Sequence, residues 1–315
     1  MFQVLFTAVI ISTSIQMAMT TPLDSSVQPV IGILTMPPTV NDENIDVSYV
    51  RITYPSYLES GGAVVTPILF NSTPEEIKEQ FHTLSGIFFT GGPAKPTDFD
   101  QYYATEKLLL DLALEYNQPV WGTCLGFQSI SDIIAGQDIL GDFESENVEM
   151  TLDLTEAAEN SRLFGASNMP SDIKELFTGG NYTTNWHHYG VGVEEFAMYL
   201  SPAGKDFIAT STNIDMNGRE FVSTMEHATK PIYAVQWHPE ANAFNYDHDT
   251  VDHSPDAVRA MQYMSNFFVK EAREKGLGPG NMEWKGRKLG DKVANPNIRT
   301  FPVADASMGL SYVFR

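Results

Sequence analysis

The sequence predicts an α/β fold: a mostly parallel central sheet flanked by helices, a flavodoxin-like three-layer sandwich with added antiparallel strands. Three observations predict it. Short apolar, β-rich runs alternate with helical stretches through the first half of the chain, the pattern of parallel strands joined by crossover helices. The strand-like run Gln118-Pro119-Val120-Trp121 passes directly into Gly122-Thr123-Cys124-Leu125-Gly126, which reads as a sharp strand-to-helix turn. The 315 residues are 43% hydrophobic, enough to bury one large core.

Each element follows from its residues. Val30–Leu34 is a first strand, and a helical stretch from about Asp46 to Ser60 stops at Gly61-Gly62. Ala63–Phe70 is a second apolar run, and Pro74-Glu75-Glu76-Ile77 carries the proline and acids of a helix start. Ser85–Thr90 gives a third strand that breaks at Gly91-Gly92-Pro93. Thr97 is suited to cap the next helix, which runs to about Asn117, before Pro119 opens the strand leading to Cys124. Beyond Asp142 the pattern changes to β-like segments near Asn147–Leu154, Phe196–Leu200, Phe207–Thr212 and Phe221–Met225, which are expected to extend the sheet with antiparallel edges. Ile232–Trp237 is a further buried strand ending at His238-Pro239-Glu240. A last helix starts at Ser254-Pro255, with Ala257, Met261, Met264 and Phe268 on one face, and closes near Gly276. Met198, Met261 and Met264 read as core residues. Residues 276–315 form a tail with little periodicity, expected to wrap the surface or stay loose.

Charge narrows the function classes. With 19 basic and 40 acidic residues the formal charge is -21, which argues against nucleic acid and anionic membranes as partners. A sequence pI near 4.5 brings the chain close to neutrality in an acidic compartment such as a lysosome or vacuole. Residues 1–20 carry an apolar run from Val4 to Ile15 followed by small residues, the pattern of a secretory signal peptide, although the usual positive start is missing. The sequons at Asn71 and Asn181 are glycosylation acceptors consistent with secretion. A secreted chain with one cysteine cannot form an internal disulfide, so Cys124 needs another reason to be there.

Catalysis supplies that reason. Gly-Thr-Cys-Leu-Gly is the thiol counterpart of the G-x-S-x-G elbow, with glycines leaving room for a strained backbone around the nucleophile. The plain alternative is a small buried hydrophobe. A thiol needs a base, and His238 ends a core strand, where Pro239 restricts its backbone and Glu240, two residues on, can take the other imidazole N–H. Cys124, His238 and Glu240 therefore form a candidate triad in which the imidazole takes the thiol proton and the carboxylate fixes the tautomer. A capping histidine at a strand end is the competing reading of His238. Backbone amides of Leu125 and Gly92 are candidate oxyanion donors, though Gly91-Gly92 also reads as an ordinary turn. Asp247-His248-Asp249 with Asp252-His253 has metal-ligand chemistry but reads better as a solvated loop.

Taken together, Pro119–Phe127, the turn Phe89-Thr90-Gly91-Gly92, the segment Asn185-Trp186-His187-His188 and the run Val235-Gln236-Trp237-His238-Pro239-Glu240 resemble the γ-glutamyl hydrolases, a branch of the class I glutamine amidotransferase-like superfamily. The resemblance covers about Ile31 to Glu274 and implies one catalytic domain over residues 21–275. It implies Cys124 as nucleophile, His238 as base and acid, Glu240 as orienting residue, and Gly92 with Leu125 as the oxyanion hole. It also places His187 near the substrate. The implied reaction is cleavage of γ-glutamyl amide bonds, above all in folate poly-γ-glutamates, through a thioester acyl-enzyme without metal or organic cofactor. The implied partner is a small-molecule or peptide substrate with γ-linked glutamates, and a homodimer is left open. Gln128 departs from the glutamate expected in much of this branch. Arg51 and Lys95 are candidate carboxylate ligands that spacing alone does not separate. Glutaminase-type chemistry on glutamine or other γ-glutamyl amines, and a catalytically silent ligand-binding role, are the alternatives.

Overall fold

The short apolar runs of the first half of the chain become strands whose alternate side chains feed two separate cores. A computed structural model of the chain describes residues 28–37, 48–276, 299–302 and 310–314. In order it contains β1 (Val30–Leu34), β2 (Ser48–Arg51), α1 (Thr53–Ser60), β3 (Val64–Ile68), α2 (Pro74–Phe81), β4 (Gly86–Phe89), α3 (Asp100–Tyr116), β5 (Val120–Thr123) and α4 (Leu125–Ala135). There follow β6 (Gly141–Met150), β7 (Asp153–Leu154), α5 (Ser171–Gly179), β8 (Thr183–Gly190), α6 (Val193–Tyr199), β9 (Phe207–Ile214), β10 (Glu220–His227), β11 (Ile232–Val235), α7 (Ala241–Phe244) and α8 (Pro255–Lys275). Two strands near the C-terminus, β12 (Arg299–Pro302) and β13 (Leu310–Phe314), complete the set.

The central sheet has eight strands in the order β3-β1-β4-β5-β11-β10-β9-β7. The first five run parallel in the 2-1-3-4-5 order of a flavodoxin-like sheet, and β10, β9 and β7 extend it antiparallel. Period-two alternation divides the strand side chains between the faces. Ile87, Phe89, Val120, Ile232 and Ala234 face the core under α2, α3 and α4; Ile31, Ile33, Phe88, Trp121, Tyr233 and Val235 face the core under α1, α5 and α8. Burying one such large side chain contributes about 1.5–3 kcal/mol, so both layers are held firmly on the sheet. Capping fixes where helices begin. Thr73 and Glu76 form a reciprocal box at the start of α2, and Ser254 accepts from the Ala257 N–H at the start of α8.

Several expectations need correction. The helix expected from about Asp46 starts later among the described residues: β2 occupies Ser48–Arg51, because it pairs antiparallel with β13, a partner supplied from the far end of the chain. Phe196–Leu200 is not a strand. Gly192 caps α6, Glu194 and Glu195 suit its positive N-terminus, and Phe196 alone of its seven residues is buried. Met198 on that helix is 63% exposed, whereas Met261 and Met264 are core residues. Thr97 lies in a short turn, Pro96–Asp98, and α3 starts after Phe99. α5 and β8 were not expected, and the tail contains β12 and β13. The leader expected over residues 1–20 lies outside the described residues, as does most of the tail. No helix among the described residues is long and apolar enough to cross a membrane.

Candidate active site

The carboxyl ends of β1, β4, β5 and β11 open onto one cavity, and the elbow after β5 forms its floor. Cys124 sits between β5 and α4 with φ 52° and ψ −101°, a backbone region that side chains rarely adopt. Such a conformation costs on the order of 1–3 kcal/mol and persists only where its surroundings enforce it. Here the Cys124 N–H donates to the Val235 carbonyl at 2.8 Å, Gly126 N–H to Thr90 at 3.1 Å, and Gln128 N–H to the Cys124 carbonyl at 3.0 Å. The flanking glycines serve close approach rather than positive φ. A methyl group on Gly122 would lie 2.7 Å from the Gly126 backbone, and one on Gly126 would lie 2.6 Å from the Phe89 carbonyl oxygen. The strain is therefore carried by the cysteine itself.

His238 follows β11 and is tied across the cavity by its N–H, which donates to the Thr184 carbonyl at 2.9 Å. Its Nδ1 lies 2.8 Å from Oε1 of Glu240, and both side chains are buried. Pro239 and Glu240 form a turn, in which Glu240 has helical φ and ψ and the Ala241 N–H returns to the His238 carbonyl. The pairing thus comes from a turn and not from extended backbone. Nε2 of His238 is buried without a hydrogen bond of ordinary geometry. Burial disfavours the imidazolium, but the Glu240 carboxylate, the neighbouring Cys124 and the hydrogen bond to Glu240 outweigh it and hold His238 well above the ordinary imidazole value.

Gly91 and Gly92 complete the constellation. A methyl group on Gly91 would meet the Tyr54 hydroxyl at 2.6 Å, Cε1 of His238 at 2.7 Å and Cβ of Cys124 at 3.3 Å, so only glycine fits against all three. Its N–H donates to Tyr54 Oη at 2.9 Å. Gly92 abuts Leu125: a methyl group there would lie 2.7 Å from the Leu125 side chain. Leu125 is the first residue of α4, where an N–H has no intrahelical acceptor. The four predicted backbone and side-chain partners of Cys124, namely His238, Glu240, Gly92 and Leu125, are brought together around it.

The cavity has a volume of about 430 Å³. β8 forms one wall. Trp186 packs between His238 and His248, tilted against both, with ring centroids 4.9 and 4.7 Å away. His187 lines the cavity, but its Nδ1 lies 3.0 Å from the Tyr189 carbonyl and its Nε2 lies 3.3 Å from Asn185 Oδ1, so its own strand engages both nitrogens. Burial first, then the neighbouring His238, depress its pKa to about 3 and keep it neutral. His188 is exposed and lies 3.4 Å from Glu146. Gln128 reaches the cavity and donates to the Tyr189 carbonyl at 2.8 Å. The candidate cations separate: Arg51 lines the cavity, whereas Lys95 lies over the Tyr189 ring and 3.9 Å from Asp138.

Two lining residues, Tyr49 and Tyr54, escaped sequence reasoning. Tyr54 sits in the apolar stripe of α1 and looks like any core aromatic, and Tyr49 lies on the unexpected β2. In the Asp247–His253 loop, Asp252 accepts from the Ser254 N–H and His253 engages the Asn242 carbonyl. Among the described residues no cluster of three or more histidine, cysteine or acidic side chains could hold a metal ion. Asn71 and Asn181 are both exposed.

Comparison with known proteins gives the family of the chain. Residues 48–254 match the family described as glutamine amidotransferase class-I. The chain is 37% identical over 254 residues to γ-glutamyl hydrolase B of Dictyostelium discoideum, covering 78% of this chain and 72% of that protein. It is 35% identical over 260 residues to human γ-glutamyl hydrolase, covering 80% of each, and 34% identical to γ-glutamyl hydrolase 1 of Arabidopsis thaliana, covering 78% and 72%. Among solved structures, the glutaminase domain of CTPS from Trypanosoma brucei is similar with a TM-score of 0.50 at 14% identity, covering 78% of this chain and 94% of that one, a likeness of fold alone.

Proposed function

Since the chain belongs to the γ-glutamyl hydrolases, within the class I glutamine amidotransferase family, and is a hydrolase of γ-glutamyl bonds, we propose that it works through a Cys124 thioester on folate poly-γ-glutamates. His238 takes the proton from the Cys124 thiol, and the sulfur attacks the γ-carbonyl carbon. The negative charge that forms on oxygen is met by the N–H groups of Gly92 and Leu125, each such donor contributing about 2.7–4 kcal/mol. The C–N bond breaks as His238 returns the proton to the leaving amine, leaving a thioester. His238 then deprotonates water for attack on that thioester, and the sulfur leaves and recovers its proton. Glu240 holds the imidazole tautomer throughout, and His187, neutral and facing the cavity, contributes shape and polarity on the substrate side.

One observation carries this reading: the 2.8 Å contact between Nδ1 of His238 and Glu240 leaves Nε2 as the only ring nitrogen available to the strained Cys124. The aromatic wall of Tyr49, Tyr54, Trp186 and Tyr189 suits a flat aromatic head group such as folate. The exposed sequons fit glycosylation at Asn71 and Asn181 and a secreted, lysosomal or vacuolar location. A mass-spectrometric time course on folate pentaglutamate tests the proposal. Shortened folates and free glutamate or glutamate oligomers are expected, with activity reduced roughly 10⁴-fold or more in Cys124→Ala. Release of ammonia from glutamine with no cleavage of the γ-linked chain would overturn the folate reading in favour of a glutaminase.

A further inference from the structure

The cavity is lined by acids and imidazoles but by a single Arg or Lys among the described residues, Arg51. Glu146 and Asp247 are its acidic members, and the chain as a whole carries a formal charge of -21. A substrate built of γ-linked glutamates presents one α-carboxylate per residue, and an acidic protein must supply a specific cation to accept it. Guanidinium matches carboxylate with two parallel hydrogen bonds, which a lysine cannot do. The position of Arg51 is also suitable. It lines the same cavity as Tyr54 and Cys124; the Tyr54 hydroxyl accepts the Gly91 N–H at 2.9 Å, and Gly91 is packed against Cys124 and His238.

What holds Arg51 there is unusual. β2 is not part of the central sheet; it is the edge of a separate three-stranded sheet ordered β12-β13-β2. On one side Tyr49 exchanges backbone hydrogen bonds with Met36, at 2.9 and 2.8 Å. On the other, β13 pairs with β2 along its whole length, with Ser311 opposite Arg51 and Val313 opposite Tyr49. Val313 and Phe314 in turn pack against the two apolar cores, which adds to the hold that strand pairing gives β13.

We infer that Arg51 reads the α-carboxylate of a γ-linked glutamate, and that the C-terminal strand β13 positions it by pairing with β2. Arg51 is a specificity residue in this scheme and β13 a positioning element. The inference rests on the γ-glutamyl reading of the site for its substrate and for the first of its two tests, but not for the second.

Two readouts on the full-length chain decide it. In the first, KM and kcat are measured on γ-linked oligoglutamate and on the same chain with its α-carboxylates converted to amides. Arg51→Gln is expected to raise KM for the carboxylate form by roughly tenfold or more, leave kcat within a few-fold, and abolish the preference over the amide form, with Arg51→Lys intermediate. In the second, Cys124 is alkylated with iodoacetate and with iodoacetamide, which differ by one carboxylate. Arg51→Gln should slow iodoacetate severalfold relative to iodoacetamide. If that ratio changes while no γ-linked chain is cleaved by the parent protein, the carboxylate role stands and the substrate reading fails. An unchanged KM and an unchanged ratio would overturn the role of Arg51.

For β13, adjacent residues of a central strand send their N–H groups to opposite neighbours, so of Tyr312→Pro and Val313→Pro one cuts pairing to β2 and the other pairing to β12. The one that cuts pairing to β2 should reproduce the KM rise and the reagent ratio of Arg51→Gln with kcat retained. Equal loss of kcat in both, or no effect in either, would overturn the positioning role.

Discussion

At the scale of single residues, the site depends on what each group is prevented from doing. Glu240 is buried and bonds Nδ1 of His238, which prevents the imidazole from turning that nitrogen toward the thiol. It also raises the proton affinity of His238, so removing its charge must lower it. Glu240→Gln keeps the shape and leaves the ring without its counter-charge. The expected outcome is a kcat lowered roughly 10²–10⁴-fold, with the alkaline limb of the pH profile, where the imidazolium loses its proton, moved to lower pH. Rates measured from pH 4 to 10 check the sign; a limb that stays in place or moves upward would contradict it. Cys124, His238 and Glu240 were legible in the sequence because their constraints are local: glycines around one, a proline between the others. Tyr54 was not, because its hydroxyl gains meaning only from Gly91, 37 residues away.

At the scale of elements, the elbow is a joint between β5 and α4 with no spare volume. Gly126 faces the Phe89 carbonyl so closely that an added methyl group must push α4 off β4. Gly126→Ala is therefore expected to destabilise the fold by about 1–3 kcal/mol and to displace the Leu125 N–H from the nucleophile. Thermal unfolding with alkylation of Cys124 checks both effects; a variant with native stability and native activity would show that the joint is looser than these distances indicate. The parallel strands β1, β3, β4, β5 and β11 were legible because each is a short apolar run ended by glycine, proline or a polar turn, and all but the edge strand β3 are buried along their length. β2 and α6 were not. β2 is defined by its pairing with β13, and α6 exposes most of its surface, so its apolar residues gave no periodic cue. β8 was hidden for the opposite reason: a wall of a binding cavity is polar, and Thr183–Gly190 lacks the apolar character that marks a core strand.

At the scale of the whole molecule, acid is built into the packing. Glu106, fully buried between α3 and α4, is pushed up to about 8 by its burial, against the lowering influence of the neighbouring Ser129 hydroxyl and the hydrogen bond from Tyr102. Asp132 on α4 is pushed up to about 7 by burial, and Glu149 and Glu226 are raised for the same reason. A carboxyl whose folded value lies above its unfolded value favours the fold fully below the unfolded value, near pH 4, and loses that contribution as pH rises through the folded one. For Glu106 the loss falls between about pH 4.5 and 8. The self-repulsion of a chain at -21 changes in the same direction, since it grows as carboxylates ionise. His187 and His227 act oppositely, because burial keeps them neutral and the unfolded chain gains protons on them below about pH 6.5. Stability is therefore expected to peak in mildly acidic solution, which suits the acidic compartment proposed for the enzyme. Glu106→Gln isolates one contributor, since it removes the titration and retains a group able to accept from the Tyr102 hydroxyl, which lies 3.0 Å from Oε1. Measured by thermal unfolding, the variant should gain on the parent steadily from pH 5 to pH 8. A difference in Tm that stays constant across that range would mean that Glu106 is already ionised in the folded chain, and that its burial between the two helices does not make the fold acid-adapted.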